Sequence, residues 1–224
     1  MSAVRKSQLS EDLKALRAMT WRQRLRFVAV YYGLWIAGVL CGGALIIYLA
    51  VHIAAGPPQY RLYAVFTNTR ADAGNGSALW KDFTEYAGYD LSDKRVEFDA
   101  VSYFDYTRNQ AKGNAYYNAF VTLSDTGTLD VITMEPEQLA ALGQSGRLLD
   151  WNAEACAALR EKYAGRLIYY RPPEGEPIPV GIDLSDSLLV TKYRLYAEGC
   201  ALGLSAQSTR LDSAADFIRF VLEG

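Results

Sequence analysis

Apolar and polar positions divide this 224-residue chain into two unlike parts. From Phe27 to Ala55 it reads FVAVYYGLWIAGVLCGGALIIYLAVHIAA, 29 positions without a formal charge. A bilayer core takes about 20 apolar residues, so this run predicts one transmembrane helix over 27–55. Residues 56–60 form a short linker, where Gly56-Pro57-Pro58 breaks the helix. Beyond it, strand-like and helix-like periods alternate through residues 61–224.

The alternation is regular enough to name elements. Arg61–Thr67 (RLYAVFT) predicts a buried strand, and Leu79, Trp80, Phe83 and Ala87 mark one face of a helix stopped by Gly88. Arg95–Val101 predicts a second strand. A helix over 111–123 would turn Ala115, Tyr116, Ala119, Phe120 and Leu123 inward. Leu129–Thr133 predicts a third strand, with Pro136 at the first position of a helix that ends near Gly143. A helix over Asn152–Ala164 carries Ala155, Cys156, Leu159 and Tyr163 on one side. Leu167–Arg171 and Ile178–Ile182 flank the turn Pro172-Pro173-Glu174-Gly175-Glu176-Pro177, and Cys200–Ser205 predicts the last strand. Ser213 and Asp216 have the spacing of a capping box for a final helix with Ala214, Phe217, Ile218, Val221 and Leu222 inward. Three strand–helix units in series imply an α/β fold: a single lobe with a mainly parallel sheet flanked by helices.

Charge gives the apolar run a direction. Residues 1–26 carry seven basic and two acidic residues, no charge occurs from Phe27 through Tyr60, and the whole chain is at −2, which leaves the body at −7. A basic head before the span predicts a cytoplasmic N-terminus, an extracytoplasmic C-terminal domain and a single-pass protein of the cell membrane. Tyr31, Tyr32 and Trp35 lie where an aromatic belt is expected. The run is longer than a signal-peptide core and starts farther from the N-terminus, so an uncleaved anchor is expected. Leu9, Leu13 and Leu16 at helical spacing make residues 1–26 a basic amphipathic segment, and Thr20 with Gln23 marks the start of the helix leading into the span. Gly38 and Gly42 form a Gly-x-x-x-Gly pair, a form seen in helix pairing and also common in membrane helices generally.

Composition removes several function classes. The single histidine, His52, falls inside the neutral run, so a Ser-His-Asp or Cys-His centre in the body lacks its base. Only Cys156 and Cys200 lie outside that run, too few for a Cys/His zinc site. Neither a phosphate-loop pattern nor a dinucleotide fingerprint occurs, and an acidic body argues against nucleic acid. No enzyme activity, cofactor or metal is expected.

Leu129-Asp130-Val131-Ile132-Thr133-Met134-Glu135-Pro136, continuing through Glu137-Gln138-Leu139 to Gly146-Arg147-Leu148-Leu149-Asp150, resembles the extracellular solute-binding proteins of bacterial ABC importers. Ile178-Pro179-Val180-Gly181 is similar to that family's next strand, and Leu202–Ser205 with Ala214–Val221 to its returning segment. The head, Trp21–Arg26 with Tyr31-Tyr32, resembles small anchored proteins of Firmicutes. The resemblance covers most of residues 61–224 and implies a periplasmic-binding-protein-like type 2 lobe and a transport-related role. It departs in one respect. The family closes two lobes on a ligand, whereas here only Asp183–Gly199 joins the last strands, so one lobe is expected.

Ligands of open α/β sheets sit beyond the carboxyl ends of the strands. Asn68, Thr69 and Arg70 follow the first strand, as hydrogen-bonding and anion-pairing groups or as turn formers with a solvated arginine. Tyr103, Asp105 and Tyr106 follow the second, as aromatic faces with a carboxylate for a sugar or organic cation, or as an aromatic corner over the sheet edge. Glu135 follows the third, at a helix start. Asp183 and Asp186 invite a calcium reading but lack the EF-hand loop pattern, which leaves them as turn acids. The expected partners are the lipid bilayer through 27–55 and a small polar solute. The alternative is an interaction protein whose open face docks a membrane protein or a second copy.

Overall fold

The computed structural model describes residues 20–55, 58–107 and 113–224. The chain divides into two compact units at Pro57 and Pro58. The expected amphipathic segment before Thr20 lies outside the described residues, as do Gly56 and Pro57 of the linker.

The first unit contains one helix, α1 (Trp21–Ala55). Thr20 and Gln23 form the expected cap, the Gln23 Oε1 accepting from the Thr20 N–H at 3.0 Å. At about 1.5 Å per residue the helix is about 52 Å long. Its segment Tyr32–Val51 is long and apolar enough to cross a membrane. A membrane span and a signal sequence both have this form.

The second unit is a mixed α/β domain. In chain order it comprises β1 (Tyr60–Phe66), α2 (Ala78–Ala87), β2 (Arg95–Asp99), α3 (Ala115–Asp125), β3 (Val131–Met134), α4 (Pro136–Leu142), α5 (Ala157–Lys162), β4 (Leu167–Tyr170), β5 (Ile178–Asp183), α6 (Leu188–Thr191), β6 (Ala201–Leu204) and α7 (Leu211–Glu223). The six strands form one sheet in the order β2-β1-β3-β6-β5-β4. The β1–β2 and β1–β3 pairs are parallel; β3–β6, β6–β5 and β5–β4 are antiparallel. The expectation of a mainly parallel sheet is therefore corrected to a mixed one. Helical crossovers α2 and α3 allow parallel neighbours as far as β3, but only residues 171–177 join β4 to β5, too short a connection for a crossover, so that pair is antiparallel. β6 enters between β3 and β5 with its direction reversed.

The sheet separates two apolar cores. One gathers Phe66, Phe83, Phe98 and Phe217 with Trp151 and Leu202, with α2 and α7 contributing their inner faces. The Phe83 and Phe217 rings meet edge to face at 5.2 Å. The other gathers Phe104, Phe120, Ile132, Leu139 and Leu142 beneath α3 and α4. The central strands β3 and β6 are buried at every position, so they read as continuous apolar runs rather than alternating ones. Gly181 has no room for a side chain, because a Cβ there would lie 2.2 Å from the Leu202 carbonyl oxygen.

The sheet edge at β2 is closed by side chains. The Asn75 carboxamide oxygen accepts from the Phe98 N–H at 2.8 Å, and the Trp80 indole donates to the Val96 carbonyl at 2.9 Å. These bonds occupy groups that an added strand would need.

Helix starts differ from the expected ones where capping competes with periodicity. Asn114 caps the Tyr116 and Tyr117 N–H groups, so α3 starts at Ala115 and turns Phe120 and Ser124 inward. Ala115, Tyr116 and Ala119 are exposed, a correction of the expected face. Ser213 is not an N-cap: α7 begins two residues earlier at Leu211, and Ser213 lies within it, buried. The expected helix over Asn152–Ala164 is broken into the short 3₁₀ turns Glu154–Cys156 and Ala164–Arg166 around α5.

Candidate functional site

Because β6 and β4 run against the others, one sheet edge collects the carboxyl ends of β1, β2, β3 and β5 together with the amino end of β6. The chain leaves β1 toward β2 on one side and returns through α3 to β3 on the other, so strand order reverses between β1 and β3. That switch point is where an open α/β sheet forms a crevice. A hollow of about 160 Å³ opens there, lined by Asn68, Arg70, Glu135, Tyr196, Ala197, Glu198 and Gly199.

Asn68 shapes one wall. Its backbone sits at φ 56°, in the left-handed region that Asn tolerates. From there its carboxamide binds the Phe104 backbone on both sides, accepting from the N–H at 3.2 Å and donating to the carbonyl at 3.0 Å. Its Nδ2 also approaches Glu135 Oε2 at 3.4 Å. Asn68 thus fastens the segment after β2 to the end of β1 and holds the Glu135 carboxylate beside it.

The opposite wall is the segment before β6. Tyr196 is buried, its hydroxyl 2.8 Å from Thr133 Oγ1 and 3.1 Å from the Thr133 carbonyl. Burial raises its hydroxyl well above the usual tyrosine range. The Arg70 N–H donates to the Leu195 carbonyl at 2.9 Å, tying the loop after β1 to this wall. Gly199 is at φ 125°, and a Cβ there would meet Ser185 Oγ at 2.3 Å, so the chain turns into β6 only with glycine.

The structure brings Asn68, Arg70 and Glu135 to one hollow and puts the other sequence-chosen residues elsewhere. Thr69 is half-buried outside the lining. Tyr103 is 66 % exposed. Asp105 accepts from Thr107 and, at 2.6 Å, from Gln138 Nε2, which fastens its loop to α4. Tyr106 packs its ring 5.7 Å from Tyr117, and burial raises its hydroxyl above the ordinary value. Asp183 closes a turn onto Ser185, accepting from its N–H at 3.0 Å and its hydroxyl at 2.5 Å, while Asp186 pairs with Arg166. Among the described residues no cluster of three or more His, Cys, Asp or Glu side chains is arranged for a metal ion. Cys156 and Cys200 are free and buried.

Tyr196, Ala197, Glu198 and Gly199 were not chosen from the sequence. They precede a strand, and only the reversed direction of β6 brings a strand's amino end to this edge. A second hollow, about 380 Å³, lies outside β2 between Tyr63, Asp72, Asn75, Glu97 and Asp99. Its polar groups are engaged locally: Asp72 accepts from Gly74, Glu97 from Asn75 and Asp99 from Val101. The smaller hollow at the switch point has the stronger claim, since its charged groups are not so consumed.

Compared with protein-family models, with curated proteins and with solved structures, the chain has no match.

Proposed function

We propose that this protein is a membrane-anchored, extracytoplasmic, non-catalytic binding module whose α/β domain takes a small polar solute in the hollow at the β1/β3 switch point. The observation that carries the reading is the convergence of Asn68, Arg70 and Glu135 from β1 and β3 with the Tyr196–Gly199 segment around one concavity. The strand order, with a reversed strand inserted beside the third, supports kinship with one lobe of the extracellular solute-binding proteins. The basic head followed by the apolar Tyr32–Val51 supports an anchor with the domain outside.

The reading is tested on the full chain in nanodiscs by calorimetric titration with sugars, amino acids and organic cations. Saturable binding weakened by Arg70→Gln is expected; absence of saturable binding by any of them overturns the reading. Orientation is checked separately with single cysteines placed at Ser10 and Tyr169 in intact cells. An impermeant maleimide is expected to label position 169 and not position 10, and the reverse pattern overturns the topology.

A second reading, an interaction module that docks a membrane protein or a second copy, is favoured by one feature. Val101 and Tyr103 are 74 % and 66 % exposed on the segment following β2, apolar surface of the kind that contacts cover. Crosslinking in membranes is expected to give a defined product under that reading.

A further inference from the structure

The walls of the switch-point hollow carry both signs of charge. Arg70, Glu135 and Glu198 are all among its lining residues, one basic and two acidic. Such groups in one small concavity normally neutralise each other directly. Here neither acid is within salt-bridge distance of Arg70, and among the described residues Arg70 and Glu198 have no ion-pair partner at all. Asn68 holds Glu135 on its own side of the hollow, with Nδ2 at 3.4 Å from Oε2. The Arg70 main chain is fixed on the facing wall by its bond to the Leu195 carbonyl. One cationic and two acidic residues thus line the same hollow without pairing with one another.

We infer that the hollow binds a small zwitterion, its carboxylate on the Arg70 guanidinium and its cationic nitrogen between the Glu135 and Glu198 carboxylates. The inference rests on the binding reading above and names its ligand class. A simple anion would meet one cation and two carboxylates. A simple amine would leave Arg70 facing a second positive charge. An uncharged polyol would use neither sign. A molecule carrying both charges a few bonds apart satisfies all three side chains with charge-assisted hydrogen bonds. Size agrees: at about 160 Å³ the hollow lies below the roughly 300–1,000 Å³ of pockets for drug-sized ligands, which suits a compact solute rather than an oligosaccharide or peptide.

The test uses the full chain in nanodiscs, titrated calorimetrically with glycine, γ-aminobutyrate and glycine betaine against acetate, methylamine and ethylene glycol. At least one zwitterion is expected to bind at least about tenfold more tightly than every single-charge or neutral probe. Arg70→Gln and Glu198→Gln change exposed side chains, and each is expected to remove that preference while leaving the thermal midpoint of the ligand-free protein unchanged. Methylamine affinity should survive Arg70→Gln. If ethylene glycol or a sugar saturates the hollow and no zwitterion competes with it, the zwitterion assignment falls while the binding reading stands. Zwitterion binding that neither substitution weakens also overturns the assignment. If no probe or sugar binds saturably, both readings fall together.

Discussion

At the scale of single residues, Asn68 joins local conformation to the site. It takes the left-handed conformation that Asn accepts more readily than most residues, and its side chain pairs with both polar groups of the Phe104 main chain. Asn68→Ala removes both bonds and retains the unfavourable φ. Destabilisation of about 1–3 kcal/mol is expected, read as a lower denaturant midpoint with an unchanged slope. The sequence offers Asn68 as a hydrogen-bonding group or a turn former after the first strand; its bonding to Phe104 is a contact across 36 positions of chain. Cysteines were legible to a different extent. The apolar helix face predicted a packed Cys156, and the structure has it buried. That Cys200 sits at the mouth of β6, with its Sγ 3.7 Å from the Leu184 carbonyl, depends on a turn that no periodicity signals.

At the scale of elements, one ion pair and the hydrogen bonds around it hold the opposite end of the sheet. Asp130, fully buried just before β3, accepts from the Tyr63 N–H of β1 at 2.8 Å, from Ser208 Oγ at 2.6 Å and from Arg210 Nε at 2.9 Å. Burial, the largest influence, raises its carboxyl above the ordinary range against the pull of these partners. Arg210 also donates to the Gly127 and Thr128 carbonyls, so one side chain links the approach to α7 with the entry to β3. Arg210→Met leaves the Asp130 charge without its counter-ion and is expected to cost about 3–5 kcal/mol by denaturation. The double variant with Asp130→Asn should recover part of that loss, which separates a charge effect from lost packing. Elements with strong periods, such as α2 with its Gly88 stop, were legible because local capping and tertiary burial agree there. For α3 they disagree, and the Asn114 cap wins over the apolar count.

At the scale of the whole molecule, buried acidic protons set an alkaline limit. Burial, aided by the Asp183 carboxylate, pushes the Cys200 thiol from an ordinary 9.0 to about 12. Tyr63, Tyr89 and Tyr193 are pushed from 10.0 to about 12, each with burial as the largest cause. Each group keeps its proton longer in the folded chain than in the unfolded one. The associated stability is therefore complete below about pH 9 and is lost as pH rises toward 12. A thermal midpoint that is level up to pH 9 and falls steadily above it is expected. A water-soluble thiol reagent at pH 8 should leave Cys156 and Cys200 untouched until denaturant is added.

The two-part plan is legible in the sequence alone: a charge-free run after a basic head, then an acidic α/β body with its first three strands in crossover order. Those features follow from chain-local quantities, namely residue period, turn chemistry and the distribution of charge. Tertiary structure decided the direction of β6, and with it which residues face one another. Strand direction is fixed by pairing across the sheet, because an apolar strand reads the same forwards and backwards. The reversal of β6 carries Tyr196–Gly199 to the edge shared by Asn68, Arg70 and Glu135, and so brings Glu198 and Arg70 to one hollow without pairing them.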